Sequence, residues 1–215
     1  MTMKIKPSQK NNKKNDKEFR LMEIRLSDIN QDGNKMIVEG YAVRYNEPTT
    51  LWEQDGIEYK EVIERGALDN ADLSDVPFKY NHSDTVMIMA RTRNKTLELI
   101  NDDQGLFIRA ELADTTSGSD LYKLIKRGDI DKMSFAFTVE EDSYNRETYT
   151  RSIRKIRKLY DVAAVDLPAY DSTSINARSF FELEREKEQM LESINKRKQY
   201  EKDKLKLKLI LEESE

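Results

Sequence analysis

Between Phe19 and Leu167 the chain repeats one pattern: short runs of alternating apolar and polar residues, separated by clusters rich in Asp, Asn and Gly. A period of two puts successive side chains on opposite faces of an extended strand, so the region is restricted to a mainly β fold. The sharpest run is Met133-Ser134-Phe135-Ala136-Phe137-Thr138-Val139. Its odd positions form a large apolar face, and Ser134, Ala136 and Thr138 form a small one. Phe19–Leu26, Met36–Tyr45, Thr85–Arg91, Thr96–Ile100, Leu106–Leu112, Thr148–Ile156 and Lys158–Leu167 read as further strands, the last closed by Pro168. The turn-rich cluster Asp28–Asn34, with Asp32-Gly33, predicts a hairpin joining the first two. The turn Asn101–Gly105 joins Thr96–Ile100 to Leu106–Leu112. Short strands at such spacing predict a barrel or a sandwich. A helix is expected where Leu121, Leu124 and Ile125 share a face. Ser117 or Ser119 would cap its start, and Lys126, Arg127 and Gly128 suit its end. A second short helical or turn segment is expected from Arg65 through Leu73.

Apolar residues make up 37% and charged residues 36% of the 215 positions, a balance too polar for a chain that is core throughout. The excess lies at the ends. Residues 1–20 carry Lys4, Lys6, Lys10, Lys13, Lys14, Lys17 and Arg20 against Asp16 and Glu18. Residues 1–18, poor in apolar side chains, read as a disordered basic arm. Residues 178–215 lack Gly and Pro, balance their charges and are rich in Glu, Lys, Arg and Leu. They read as a charged helical extension with a stripe at Leu183, Met190, Leu191 and Ile194. The stripe loses register after Tyr200, where Leu205, Leu207 and Leu209 alternate with Lys. Residues 19–177 are left as the folded core. The acidic excess of residues 21–177 argues against a nucleic-acid partner, because phosphate binding needs positive potential. No apolar run approaches the roughly 18 residues that span a bilayer, and no membrane association is expected.

The chain has no Cys and one His, which excludes thiol catalysis, Cys-ligated zinc and any site needing two histidines. No phosphate-binding Gly-rich loop, dinucleotide fingerprint or nucleophile-elbow motif occurs. Asp28, Asn30, Asp32, Gly33 and Glu39 match the EF-hand spacing, but a β-type run follows where a helix is required, and Lys35 takes an apolar position. No metal and no cofactor is therefore expected. A single His is still enough for one kind of enzyme, and a few residues are candidates for chemistry. Ser134 sits on a face with little bulk, His82 lies in Lys79-Tyr80-Asn81-His82-Ser83-Asp84, and Asp161 and Asp166 follow late in the chain. Taken singly, Ser134 is an ordinary sheet serine and His82 a loop histidine. The two acids are five residues apart, so on one regular strand only one can face a given site. Asp161, within the run, suits the held acid of a triad better than Asp166, which is next to the strand end.

Taken in order, several stretches resemble one family. They are Gly40-Tyr41-Ala42, Glu64-Arg65-Gly66-Ala67-Leu68, Asn81-His82, Ala90-Arg91-Thr92, Leu97-Glu98-Leu99, Gly105-Leu106, Arg127-Gly128-Asp129, Met133–Phe137, Leu159-Tyr160-Asp161-Val162 and Leu167-Pro168-Ala169-Tyr170. Together, from Gly40 to Ile175, the chain is similar to the prohead (procapsid maturation) proteases of tailed bacteriophages. These are the HK97-type serine proteases, related in fold to herpesvirus assemblins. The resemblance implies an assemblin-like β-barrel, closed or nearly so, ringed by short helices. It implies a serine endopeptidase with His82 as base, Ser134 as nucleophile and Asp161 as the acid, a position often Glu in relatives. Arg91 and Arg154 are candidate charged helpers. The implied partners are the major capsid protein and its scaffold region, with the portal and the chain's own tails as further candidates. Homo-oligomerisation is left open. The implied place of action is the immature capsid in the host cytoplasm. Self-cleavage would remove the 178–215 extension.

Overall fold

The computed structural model describes residues 17–23, 35–166 and 170–212. The chain divides into two compact units, the first ending at Ser174 and the second beginning at Ile175. In chain order the first unit holds β1 (Glu18–Glu23), β2 (Ile37–Arg44), β3 (Thr49–Gln54), β4 (Ile57–Ile63), β5 (Pro77–Tyr80), β6 (Ala90–Arg91), β7 (Leu97–Asn101) and β8 (Gly105–Glu111). Helix α1 (Thr116–Arg127), β9 (Lys132–Asn145) and β10 (Thr150–Val165) follow. One sheet of seven strands runs β1-β9-β10-β4-β3, with β5 joined to β10 and β6 joined to β5; a second sheet runs β2-β8-β7. Their apolar faces share a core that includes Phe78, Leu106, Ile108, Phe135, Phe137, Leu159 and Val162, all fully buried.

The mainly β class is as the alternation implies, but closure is not. β2 comes up beside β1 and β9, yet no ladder links the two sheets among the described residues. Among the described residues, the two strands of the expected hairpin do not pair with each other. β1 pairs antiparallel with β9, from Glu18 opposite Phe137 to Glu23 opposite Lys132, whereas β2 pairs with β8. Charge suits β1 to its place beside β9. β1 carries Glu18 and Arg20 into the protein, and their counter-ions Glu61 and Arg151 stand on β4 and β10 of the same sheet. The Asp28–Asn34 cluster lies outside the described residues, as do Asp28, Asn30, Asp32 and Gly33 of the EF-hand match. Glu39 stands on strand β2 and pairs with Arg109 at 3.0 Å.

Two further expectations change. Of Thr85–Arg91 only Ala90–Arg91 is strand. β5 ends at Tyr80, so its antiparallel ladder with β6 covers only Pro77–Arg91 and Phe78–Ala90 and leaves Thr85–Ile88 nothing to pair with. Met87 and Ile88 are consequently exposed. In place of the two runs expected over Thr148–Ile156 and Lys158–Leu167, Thr150–Val165 form one strand, β10. The interruption in their pattern is a series of register shifts against β9 instead of a turn. Helix α1 starts one turn earlier than expected, with Thr115 as its cap accepting from the Gly118 amide at 3.2 Å. Its end is as expected: Gly128 takes the left-handed conformation at φ 85° and returns its amide to Ile125 and Leu124. Glu64 to Ala71 form successive turns.

The second unit consists of helix α2 (Tyr170–Glu212), which begins before the boundary. It continues through the Leu/Lys alternation after Tyr200, because both residues are strong helix formers and propensity outweighs the lost stripe. Met190, Leu191, Ile194, Tyr200 and Leu205 are exposed on it. No helix among the described residues is long and apolar enough to cross a membrane.

Candidate active site

β9 supplies Ser134 from its small-residue face. That face is covered rather than open: Ser134 is only 2% exposed. β10 is the antiparallel neighbour, and the register pairs Ser134 with Ala163 and Phe135 with Val162. Directly opposed side chains share a face, so Val162 joins the core and Ala163 the small face. Asp161 reaches that small face through a bulge. Leu159 opposes Phe137 and Asp161 opposes Ala136, so Tyr160 is an extra residue in β10. Without it, Asp161 would follow Leu159 into the apolar core, because a one-residue slip exchanges the faces. The bulge thus puts Asp161 diagonally across from Ser134.

β5 lies parallel to β10 on its other side, with Lys79 opposite Ala163 and Tyr80 opposite Ala164. Beyond it the chain turns through two consecutive left-handed residues, Asn81 at φ 50° and His82 at φ 53°. The turn carries the imidazole over the sheet. His82 Nε2 stands 2.7 Å from Ser134 Oγ, and His82 Nδ1 contacts Asp161 Oδ1. The tautomer that satisfies both contacts has the proton on Nδ1: Nδ1–H donates to the carboxylate and the serine hydroxyl donates to Nε2. Asp161 makes this contact directly.

Two further side chains complete the surroundings. Phe19 of β1 meets the imidazole edge-on, with ring centroids 4.7 Å apart at 69°. Lys79 Nζ lies 4.0 Å from Asp161 Oδ2 and 2.5 Å from Asp84 Oδ1, so the second oxygen of the triad-like acid faces a cation. The Lys79 hydrogen bond in turn holds the Asp84 carboxyl below the usual carboxylate range. Sequence reasoning missed both Phe19 and Lys79. Phe19 lies far away in sequence and reaches His82 only because β1 pairs with β9. Lys79 has no signal beyond its place in the strand before His82.

Asp166 does not touch the imidazole. It accepts from Tyr80 Oη at 2.7 Å and from Asn81 Nδ2 at 2.8 Å. Arg91 forms a two-pronged pair with Asp75, and Arg154 pairs with Glu64 at 3.7 Å. Neither guanidinium is directed at the triad-like group.

A family model described as caudovirus prohead serine protease matches residues 20–189, most of the chain and all three of Ser134, His82 and Asp161. The chain belongs to the caudovirus prohead serine protease family. It is therefore a peptidase of the serine class with a role in phage capsids. No curated protein matches the chain. Among solved structures, the bacteriophage T4 capsid assembly protease is similar, with TM-score 0.49 and 14% identity, over 72% of this chain and 100% of that one.

Phe19 gives a prediction at this site. An edge-to-face aromatic contact contributes about 0.5–1.5 kcal/mol. If Phe19 holds the imidazole plane, Phe19→Ala is expected to slow peptide cleavage roughly 2- to 10-fold with little change in KM. Unchanged turnover in steady-state assays would assign Phe19 to packing alone.

Proposed function

We propose that this family member is a serine endopeptidase that processes capsid-internal proteins as the prohead matures, with Ser134 as nucleophile, His82 as general base and Asp161 as the orienting acid. The observation that carries this reading is the unbroken hydrogen-bonded series Asp161–His82–Ser134, assembled from β10, β9 and the turn after β5. Ser134 Oγ attacks the peptide carbonyl carbon while its proton passes to His82 Nε2. The C–N bond of the tetrahedral intermediate then breaks as His82 returns that proton to the leaving amine. Water, deprotonated by the same nitrogen, hydrolyses the acyl-enzyme and restores Ser134. Asp161 keeps the imidazole in the Nδ1–H tautomer and stabilises its charged form.

The substrates follow from the family's setting: the major capsid protein through its scaffold region, with the portal and the chain's own ends as further candidates. Action would occur inside the immature capsid. The basic arm of residues 1–18 and the charged extension of residues 178–215 are proposed as segments outside the catalytic core of residues 19–177, the extension being open to self-cleavage.

The test is co-expression of the full chain with the major capsid protein of the same phage. The capsid protein is expected to be shortened. Full-length capsid protein beside a folded, soluble chain would favour a non-catalytic assembly role and overturn the proposal. Within the proposal, Asp161→Asn should lower kcat by about 10⁴-fold while leaving the fold intact, because it stabilises the wrong tautomer of His82. Asp166→Asn should not approach that loss.

A further inference from the structure

The acid that does not reach the imidazole has its own set of contacts. Asp166 sits just past the end of β10, and both its oxygens are engaged by the two residues before His82. Tyr80 Oη donates to Oδ2 at 2.7 Å and Asn81 Nδ2 donates to Oδ1 at 2.8 Å. The Asp166 amide donates back to Asn81 Oδ1 at 3.2 Å, so the Asn81 side chain is held through both its nitrogen and its oxygen. The Asn81 amide donates to the Ala164 carbonyl at 2.9 Å, which ties the same turn to β10 a second time. The Tyr80 hydroxyl is harder to ionise than usual, chiefly because it donates to Asp166.

These contacts converge on a turn that needs holding. Asn81 and His82 are consecutive residues with Cβ atoms at positive φ, a conformation that disfavours most side chains. Asn tolerates it best among non-glycine residues, partly because its side chain can bond locally. β5 is only four residues long, and its antiparallel partner β6 is two residues long, so the surrounding ladder gives the turn little support. The segment after it, Thr85–Ile88, is not in a strand at all. The carboxylate of Asp166 is thus the side-chain anchor that joins the His82 turn to the end of the strand bearing Asp161.

Building on the triad reading, we propose that Asp166, acting through Asn81 and Tyr80, is a positioning residue. It fixes the left-handed turn so that the His82 imidazole lies between Asp161 and Ser134. Because Asp161 stands on β10 and Asp166 directly follows it, that strand and its end set both the acid behind the ring and the backbone that delivers the ring. Displacement of the imidazole by about 1 Å is enough to cost roughly 10²-fold in rate.

The test uses the full chain, and two readouts separate this role from mere stability. The first is the rate at which a fluorophosphonate probe modifies Ser134, which depends on His82 and needs no identified substrate. The second is the Nδ1–H proton resonance of His82, which is unambiguous because His82 is the sole histidine. Asp166→Ala is expected to slow labelling roughly 10²-fold. It should also broaden or abolish the Nδ1–H resonance, while shifting Tm by no more than about 2–4 °C. Tyr80→Phe should give a smaller loss of the same kind and add little to Asp166→Ala, because the two act through one contact. Labelling at the wild-type rate with the resonance intact in Asp166→Ala would overturn the proposal. So would a loss as deep as that of Asp161→Asn, which would make Asp166 the triad acid. If the wild-type chain is not labelled at all, it is the triad reading that fails. The His82 resonance in Asp166→Ala then still decides whether the clamp exists.

Discussion

Ser134→Ala is expected to lower peptide cleavage by about 10⁶-fold, and His82→Ala to lower it as far, with neither variant losing its fold. The size follows from the geometry. Ser134 Oγ is 2.7 Å from the only imidazole in the chain, so no second base can take over when His82 is removed. The two residues act as one unit, and the double variant should be no slower than either single variant. Both substitutions leave the sheet intact. Ser134→Ala exchanges a small buried side chain for another small one in a face that already holds Ala136 and Ala163. His82→Ala removes a ring from a turn that Asn81 and Asp166 continue to hold. The check is the cleavage rate of co-expressed capsid protein, read alongside thermal unfolding of each variant.

The second large effect concerns stability. Glu18, Arg20, Glu61 and Arg151 form a buried cluster joining β1, β4 and β10. Arg20 NH2 donates to Glu61 Oε2 at 2.6 Å, and Arg151 NH1 donates to Glu18 Oε2 at 2.8 Å and to Glu61 Oε2 at 3.2 Å. Arg151 also reaches Asp142 at 2.7 Å. Arg151→Met keeps the aliphatic stem but leaves Arg20 as the cation shared by Glu18 and Glu61, so one buried negative charge goes uncompensated and the change should cost about 3–5 kcal/mol. Against a typical net stability of about 5–15 kcal/mol, that is enough to unfold part of the population. Replacing the whole cluster with apolar residues should cost far less, because no unpaired charge remains. Denaturant unfolding of the two variants separates these outcomes.

The same cluster gives a pH dependence. Burial pushes the Glu18 carboxyl up, but the charges and hydrogen bonds of Arg20 and Arg151 outweigh it and hold the group below its ordinary value of 4.5. The unfolded chain then binds a proton more readily than the folded one between those two values. The contribution of Glu18 is therefore complete above about pH 4.5 and disappears as pH falls through the depressed folded value. Because β1 also carries Phe19, loss of the cluster in acid should loosen the contact with His82 as well.

Alternation alone located the strand of Ser134 and assigned its two faces correctly, because a period of two is set by backbone geometry whatever the partner strand. Position relative to the strand end favoured Asp161 over Asp166, yet the reason Asp161 faces Ser134 was hidden. It depends on the extra residue Tyr160, and a bulge is a property of the ladder with β9 that no single run encodes. The partner of β1 was hidden for a similar reason. Asp32-Gly33 is a strong local turn signal, but the buried charges of Glu18 and Arg20 make a long-range demand that suits β1 to its place beside β9. Thr85–Ile88 has strand composition without a strand to pair with. Asp166 was legible only as a rival for the acid. Its contacts with Tyr80 and Asn81 depend on β5 lying parallel to β10, a pairing between residues 84 positions apart that composition cannot reveal.

The central claim, that Ser134 is a nucleophile activated by His82, is tested most directly by mass spectrometry of the full chain after treatment with a fluorophosphonate. The account predicts a single adduct on the peptide containing Ser134, and none in His82→Ala. An adduct that maps elsewhere, one that persists undiminished in His82→Ala, or a folded chain left wholly unmodified would contradict it.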